Sequence, residues 1–260
     1  MTVGNPQFLY ANDFTDTAVM VTSSNNTTIF KTRLIDRRPR IQHTTNGQTA
    51  SNATYIYTPG DSPSISRIVI QNCNWAAFTA TYNGGTAFST AINVSGASGG
   101  DFYFEFNAVT ITAEITITVT ATSAAGLEKK VGQIIFSRNL YTFPDFASTM
   151  VFNPDPQQVI NRLSSGRYVR YLLDSEMYGF QASMKTVSGG SNFTNLKTLL
   201  DEADINAVFF VPMPSTSAGE WNGVADHVFI QNGREIRNFS GVYFGGGNDV
   251  IFDMVPAGGV

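Results

Sequence analysis

At 260 residues and 28.2 kDa the chain is long enough to bury a full core, and its length suits two ordinary domains. Only 14% of its residues are charged and the net charge is −4; between residues 68 and 127 the charged side chains are Asp101, Glu105 and Glu114 alone, which argues against any grip on a phosphate backbone and hence against a nucleic-acid partner. No run of 18 apolar residues is present, so no membrane insertion is expected, and Met1-Thr-Val-Gly-Asn-Pro lacks the basic start and apolar stretch of a secretory signal.

A chain of this kind, if full length, is expected to be made in a cytosol, and a single cysteine, Cys73, agrees with that compartment and reads as core filler. The polar but mostly uncharged surface, rich in Thr, Ser, Asn and Gly, suits tight packing against other chains.

In chain order, the first half predicts short strands separated by Gly, Asn, Pro and Ser. Residues 17–22, 27–35 and 55–57 come first, then a turn at 59–61. The apolar run 65–70 belongs in the centre of a sheet. Residues 78–82 follow, ended by Asn83-Gly84-Gly85, and 101–106 alternate Phe102, Phe104 and Phe106 with Asp101, Tyr103 and Glu105. From 109 to 122 every odd position is apolar and every even one is Thr or Glu, a strand signal with one buried face and one wet face. Unbroken, at roughly 3.3 Å per residue, that run would reach about 45 Å, so a break at Ala113, where the inward side chain is smallest, is expected. Residues 131–136 close a set of about eight antiparallel strands, a two-sheet sandwich or jelly roll.

Residues 141–158, with Pro144, Pro154 and Pro156, read as a Pro-rich linker, because prolines at that density cannot sit inside a ladder. The division is therefore a sandwich over 1–140, the linker, and a β-rich α+β unit over 159–260. In that unit 167–173 and 178–186 predict strands. The clearest helix is 194–203, with Leu196, Leu199, Leu200 and Ala203 on one face and Thr194 placed to cap its start. Residues 207–211 form an apolar strand, 228–230 and 236–242 flank Asn232-Gly233 as a hairpin, and 250–255 end the set. The fold class is mainly β.

Enzyme signals are nearly absent. His43 and His227 lie in different predicted domains without a ligand at metal spacing, and Asp226 beside His227 points to the opposite face of a strand. The carboxylates Asp201, Glu202 and Asp204 crowd one helix end as a solvated face, and Gly245-Gly246-Gly247 lacks the strand, loop and helix order of a phosphate cradle. No catalytic residue, metal or cofactor is expected. Two groups of residues remain as candidate contacts. Trp75 and Tyr82 could offer stacking faces for a carbohydrate, although core packing or a subunit contact is the more common fate of such aromatics. Arg33, Asp36, Arg37, Arg38 and Arg40 make a charge cluster suited to an inter-subunit surface, with anion binding as the alternative.

The segment Thr32-Arg33-Leu34-Ile35-Asp36-Arg37-Arg38-Pro39, then Arg67-Ile68-Val69-Ile70-Gln71-Asn72-Cys73-Asn74-Trp75, and the closing Lys130-Val131-Gly132-Gln133-Ile134-Ile135-Phe136 together resemble the discoidin-like β-sandwich modules found in virion proteins of tailed bacteriophages. The cysteine pair of extracellular discoidin modules is missing, as is the Trp that often follows the Asp-x-x-Pro element. The order of elements in the second half is similar to that of phage tail-tube and distal-tail proteins. The resemblance implies a structural protein of a phage tail, near the distal end or baseplate, assembled in the host cytoplasm. Its implied partners are copies of itself in a ring of three or six and neighbouring tail proteins, with 207–211 as the strand whose charging would break assembly. The alternative is a carbohydrate-binding module that attaches to a host surface glycan.

Overall fold

The structure, a computed structural model, describes residues 52–138 without a break. On either side it describes residues 5–9, 19–22, 34, 42–44, 141–143, 150–153, 157–162, 168–174, 179–185, 191–204, 208–211, 219–220, 226–230, 233, 236 and 249–256.

The chain enters on β1 (Gln7–Leu9) and continues through β2 (Val19–Thr22), β3 (His43–Thr44), β4 (Ala53–Thr58), β5 (Ser64–Cys73), β6 (Trp75–Tyr82), β7 (Thr86–Val94), β8 (Gly100–Thr110), β9 (Ile115–Thr122), β10 (Lys130–Val131) and β11 (Gln133–Ser137). The second half supplies β12 (Tyr141–Thr142), β13 (Met150–Asn153), β14 (Gln157–Arg162), β15 (Tyr168–Asp174), β16 (Gly179–Lys185), α1 (Ser191–Ala203), β17 (Val208–Val211), β18 (Gly219–Glu220), β19 (Asp226–Ile230) and β20 (Asp249–Pro256). The molecule is mainly β, as its sequence predicts.

Two antiparallel sheets form the sandwich, one ordered β2-β4-β9-β6-β7 and the other β11-β5-β8-β18. Strand alternation turns Tyr55 and Tyr57 of β4 and Ile115, Ile117 and Val119 of β9 inward, where they meet Ile68 and Ile70 of β5 and Phe102, Phe104 and Phe106 of β8 in one core. Phe78 sits edge-on to Phe102 with ring centroids 4.9 Å apart, a geometry worth about 0.5–1.5 kcal/mol beyond its area. The long alternating run is two strands: β8 stops at Thr110 and β9 starts at Ile115, so the break expected at Ala113 spans residues 111–114.

A third sheet, of seven strands ordered β12-β1-β17-β19-β20-β16-β13, carries the other core. Phe8, Phe210, Val228, Phe252 and Met254 line one of its faces and pack with Leu196, Leu199, Leu200 and Ala203 of α1. That helical face is the predicted one, although α1 starts three residues before Thr194, so Thr194 is inside the helix and its carbonyl accepts from Thr198 Oγ1 at 2.9 Å.

Sheet membership departs from the expected division at 140. β1 pairs with β12 through Gln7↔Thr142 and Phe8↔Tyr141, and Phe143 N donates to Pro6 O at 2.9 Å, so the chain leaves the seven-stranded sheet beside the point where it returns. The sandwich is an insert in that sheet rather than a domain preceding it. Nor are residues 141–158 only a linker: β12 and β13 are strands of the same sheet, with the prolines outside them. Most of the expected hairpin at Asn232-Gly233 lies outside the described residues. Among the described residues β19 pairs with β17 and β20, and Gly233 and Ile236 are helical. The predicted strands at 27–35 and 236–242 fall outside the described residues except for the buried Leu34 and Ile236.

The other face of the seven-stranded sheet explains why β5 is buried on both sides. Register places Leu9 opposite Phe209 and Gln7 opposite Val211, and on the sandwich it aligns Ile135, Val69 and Tyr103 in one row. Leu9, Phe209 and Val211 pack on that row as a third apolar cluster. Residues 208–211 are therefore buried on both faces within one chain, which corrects their expected role as an assembly strand. β18 adds a second crossing, pairing Gly219 with Tyr103 and Glu220 with Phe102 at the edge of the sandwich.

A candidate functional site at one end of the sandwich

The corner between β5 and β6 is built by two asparagines. Asn72 adopts φ 50°, the left-handed region that Asn tolerates better than most residues. Its backbone N–H donates to Asp101 Oδ1 at 2.7 Å, and Gln42 Nε2 donates to Asn72 O at 3.0 Å and to Asn72 Oδ1 at 2.9 Å. Asn74 acts as a tie: its Nδ2 donates to Glu128 O at 2.7 Å and its Oδ1 accepts from Lys130 N at 2.8 Å, which fastens the β9–β10 loop to the corner. Gly99 presses on the same corner from the β7–β8 loop. A Cβ there would stand 2.7 Å from Cys73 O, and φ is +84°, so this position requires glycine.

Three loops are thus fixed around a shelf formed by Gln42, Asn72 and Asp101. Asn72 N–H occupies one carboxylate oxygen of Asp101, and no hydrogen bond of the described residues uses the other. Burial raises the Asp101 carboxyl above its ordinary value, partly offset by the Asn72 N–H. Beneath the shelf Cys73 is 6% exposed, and burial pushes its thiol up to about 12, so it is a neutral core side chain at physiological pH.

The residues singled out from sequence are distributed differently. Trp75 is fully buried, its ring 5.3 Å from that of Tyr55 and 5.5 Å from that of Phe78, so it offers no stacking face to a sugar. Tyr82 is half-buried against Phe88, with centroids 4.9 Å apart, at the far end of β6. At roughly 3.3 Å per residue the two positions are about 23 Å apart, too far to share one platform. Arg33, Asp36, Arg37, Arg38 and Arg40 lie outside the described residues. His43 is buried in β3, edge-on to Tyr55, and His227 belongs to β19 opposite Phe209. Among the described residues no three His, Cys, Asp or Glu side chains gather to hold a metal, and no helix is long and apolar enough to cross a membrane.

Sequence reading passed over the shelf because Asn72 is about thirty residues from Gln42 on one side and from Asp101 on the other. The available signals were the Asn-x-Asn at 72–74 directly after an apolar run and the Gly99-Gly100 pair before Asp101.

No known family pattern matches the chain, and no curated protein does. Among solved structures it is similar to chitosan-binding module 1 derived from chitosanase/glucanase from Paenibacillus sp. IK-5, at 14% identity and a TM-score of 0.41, over 48% of this chain and 98% of that one. It is similar also to the family 32 carbohydrate-binding module from C. perfringens NanJ in complex with galactose, at 14% identity and a TM-score of 0.39, over 50% of this chain and 98% of that one. A third is the Clostridium perfringens module CpGH89CBM32-5 in complex with GalNAc-beta-1,3-galactose, at 11% identity and a TM-score of 0.39, over 49% and 99%. All three are carbohydrate-binding modules, and none is a phage tail or baseplate protein.

Proposed function

We propose that this protein is a non-enzymatic carbohydrate-recognition protein that uses the Gln42–Asn72–Asp101 shelf of its sandwich. The observation that carries the reading is the shelf itself, where amide and carboxylate groups are held in place by loop-to-loop hydrogen bonds with one Asp101 oxygen uncommitted. Sugars present adjacent hydroxyls at fixed spacing, and planar amide and carboxylate groups meet them with paired hydrogen bonds. Because the loops are already tied, little ordering remains to be done on binding. The non-enzymatic part rests on the sequence, whose histidines and carboxylates form no acid-base or metal-ligand pattern.

The proposal does not extend to a ring of three or six copies, to neighbouring tail proteins or to a virion. The strand expected to carry assembly is closed within the chain by α1 on one side and the sandwich on the other.

A panel of immobilised neutral and amino oligosaccharides tests the reading. Saturable binding to at least one of them, weakened about 10-fold or more by Asp101→Ala and unchanged by Tyr82→Ala, is the expected result. Failure to bind any sugar, or binding indifferent to Asp101→Ala, overturns it.

A further inference from the structure

The contact between sandwich and seven-stranded sheet has two parts of different character. One is apolar: Leu9, Phe209 and Val211 against Val69, Tyr103 and Ile135. Such contact is non-directional, and a slide of one strand spacing, about 4.8 Å, would replace many of its partners with equivalent ones. The other part is polar and allows no such slide. Arg67, 6% exposed, donates from Nη2 to Glu105 Oε1 at 2.7 Å, from Nη1 to Ser66 O at 3.1 Å and from Nε to Gln7 Oε1 at 3.4 Å. Tyr103 OH donates to the same Gln7 oxygen at 3.0 Å.

Arg67 and Glu105 face each other across β5 and β8 of the sandwich, whereas Gln7 comes from β1, the strand on which the chain leaves the other sheet. One amide oxygen of the seven-stranded sheet is therefore held by two donors of the insert.

We propose that the Gln7–Arg67–Tyr103–Glu105 network is an orientation pin that selects a single docking geometry of the sandwich on the seven-stranded sheet, while the apolar cluster supplies most of the adhesion. Any other docking buries the Gln7 amide oxygen away from the Arg67 Nε and Tyr103 hydroxyl that hold it, while Arg67 keeps Glu105 and Ser66 within the sandwich, and a buried polar group that loses its partners costs more than an apolar mismatch. Replacing a buried ion pair by apolar side chains often preserves stability, so adhesion and orientation are separable by substitution. A fixed orientation matters for the shelf because Arg67 and Cys73 lie on the same strand, six residues or about 20 Å apart, so the pin sets the direction in which that end of the sandwich points. The proposal stands independently of what the shelf binds.

Spin labels at Thr120→Cys on the sandwich and Lys197→Cys on α1, both exposed positions, read the geometry by pulsed electron resonance while the buried Cys73 stays unlabelled. The parent pair gives one narrow distance distribution. In Arg67→Met/Glu105→Leu the distribution splits or widens about twofold while thermal unfolding stays cooperative. Gln7→Met, which leaves the Arg67–Glu105 pair intact, widens it as well, and it decides the matter if the double variant does not fold. A broad distribution in the parent, or a single narrow one in Gln7→Met, overturns the proposal.

Discussion

Asp101 illustrates how a carboxylate is held at a cost to the fold. Its carboxyl is raised by burial, with the Asn72 N–H pulling the other way, so the folded chain binds that proton more tightly than the unfolded chain does. A carboxyl raised in this sense favours folding below its ordinary range, and that contribution is lost as the pH rises through the raised value. Asp101→Asn removes the titration and keeps an oxygen that accepts from Asn72 N–H. Relative to the parent, the variant should therefore be about equally stable near pH 3 and more stable near pH 7, as read by thermal melts across that range. A difference that does not change with pH, or one that reverses, would show that burial does not govern this carboxyl.

At the scale of elements, the turn between β6 and β7 shows how strands far apart in sequence are set in register. Asn83, at φ 44°, accepts on Oδ1 from Thr112 N at 2.9 Å and from Ala113 N at 3.0 Å, and its Nδ2 donates to Thr110 O at 2.9 Å. One side chain thereby closes the β8–β9 hairpin, which lies where the long alternating run breaks. Asn83→Ala forfeits these bonds and strains the left-handed backbone, for a loss of about 1–3 kcal/mol in chemical denaturation. Asn83→Gly should recover the backbone part alone and fall between the two. Equal stability of Asn83→Ala and the parent would remove the clamp from this account. The hairpin was visible in the sequence only as a small inward residue, Ala113, because the clamp comes from another turn. β7 was missed for a related reason: in Thr86–Val94 the buried side chains Phe88 and Ile92 are four apart among Ala, Ser and Thr, which reads as loop.

For the whole molecule, sequence periodicity reported what each element buries but not which elements share a sheet. The face of α1 and the inward side of β9 were legible because each repeats within its own segment. The insert was not legible, since a three-residue strand such as β1 carries no period and its neighbours β12 and β17 are about 130 and 200 residues away in the chain. The unbroken burial of residues 65–71 in β5 goes with cover on both faces, yet only the register of Val69 beside Tyr103 and Ile135 shows what provides it. The same limit hid the shelf, whose residues come from separate loops, whereas Trp75 has the fate more common for such an aromatic and is the floor of the core. The central claim is that this sandwich end is a carbohydrate contact. Two-dimensional amide NMR of the full chain, titrated with the oligosaccharide that binds best in the panel, tests it most directly. The account predicts shifts confined to residues 42–44, 72–74, 99–101 and 123–130. Shifts gathered instead around Tyr82–Gly85 and residues 110–114, or no shifts at saturating sugar, would contradict it.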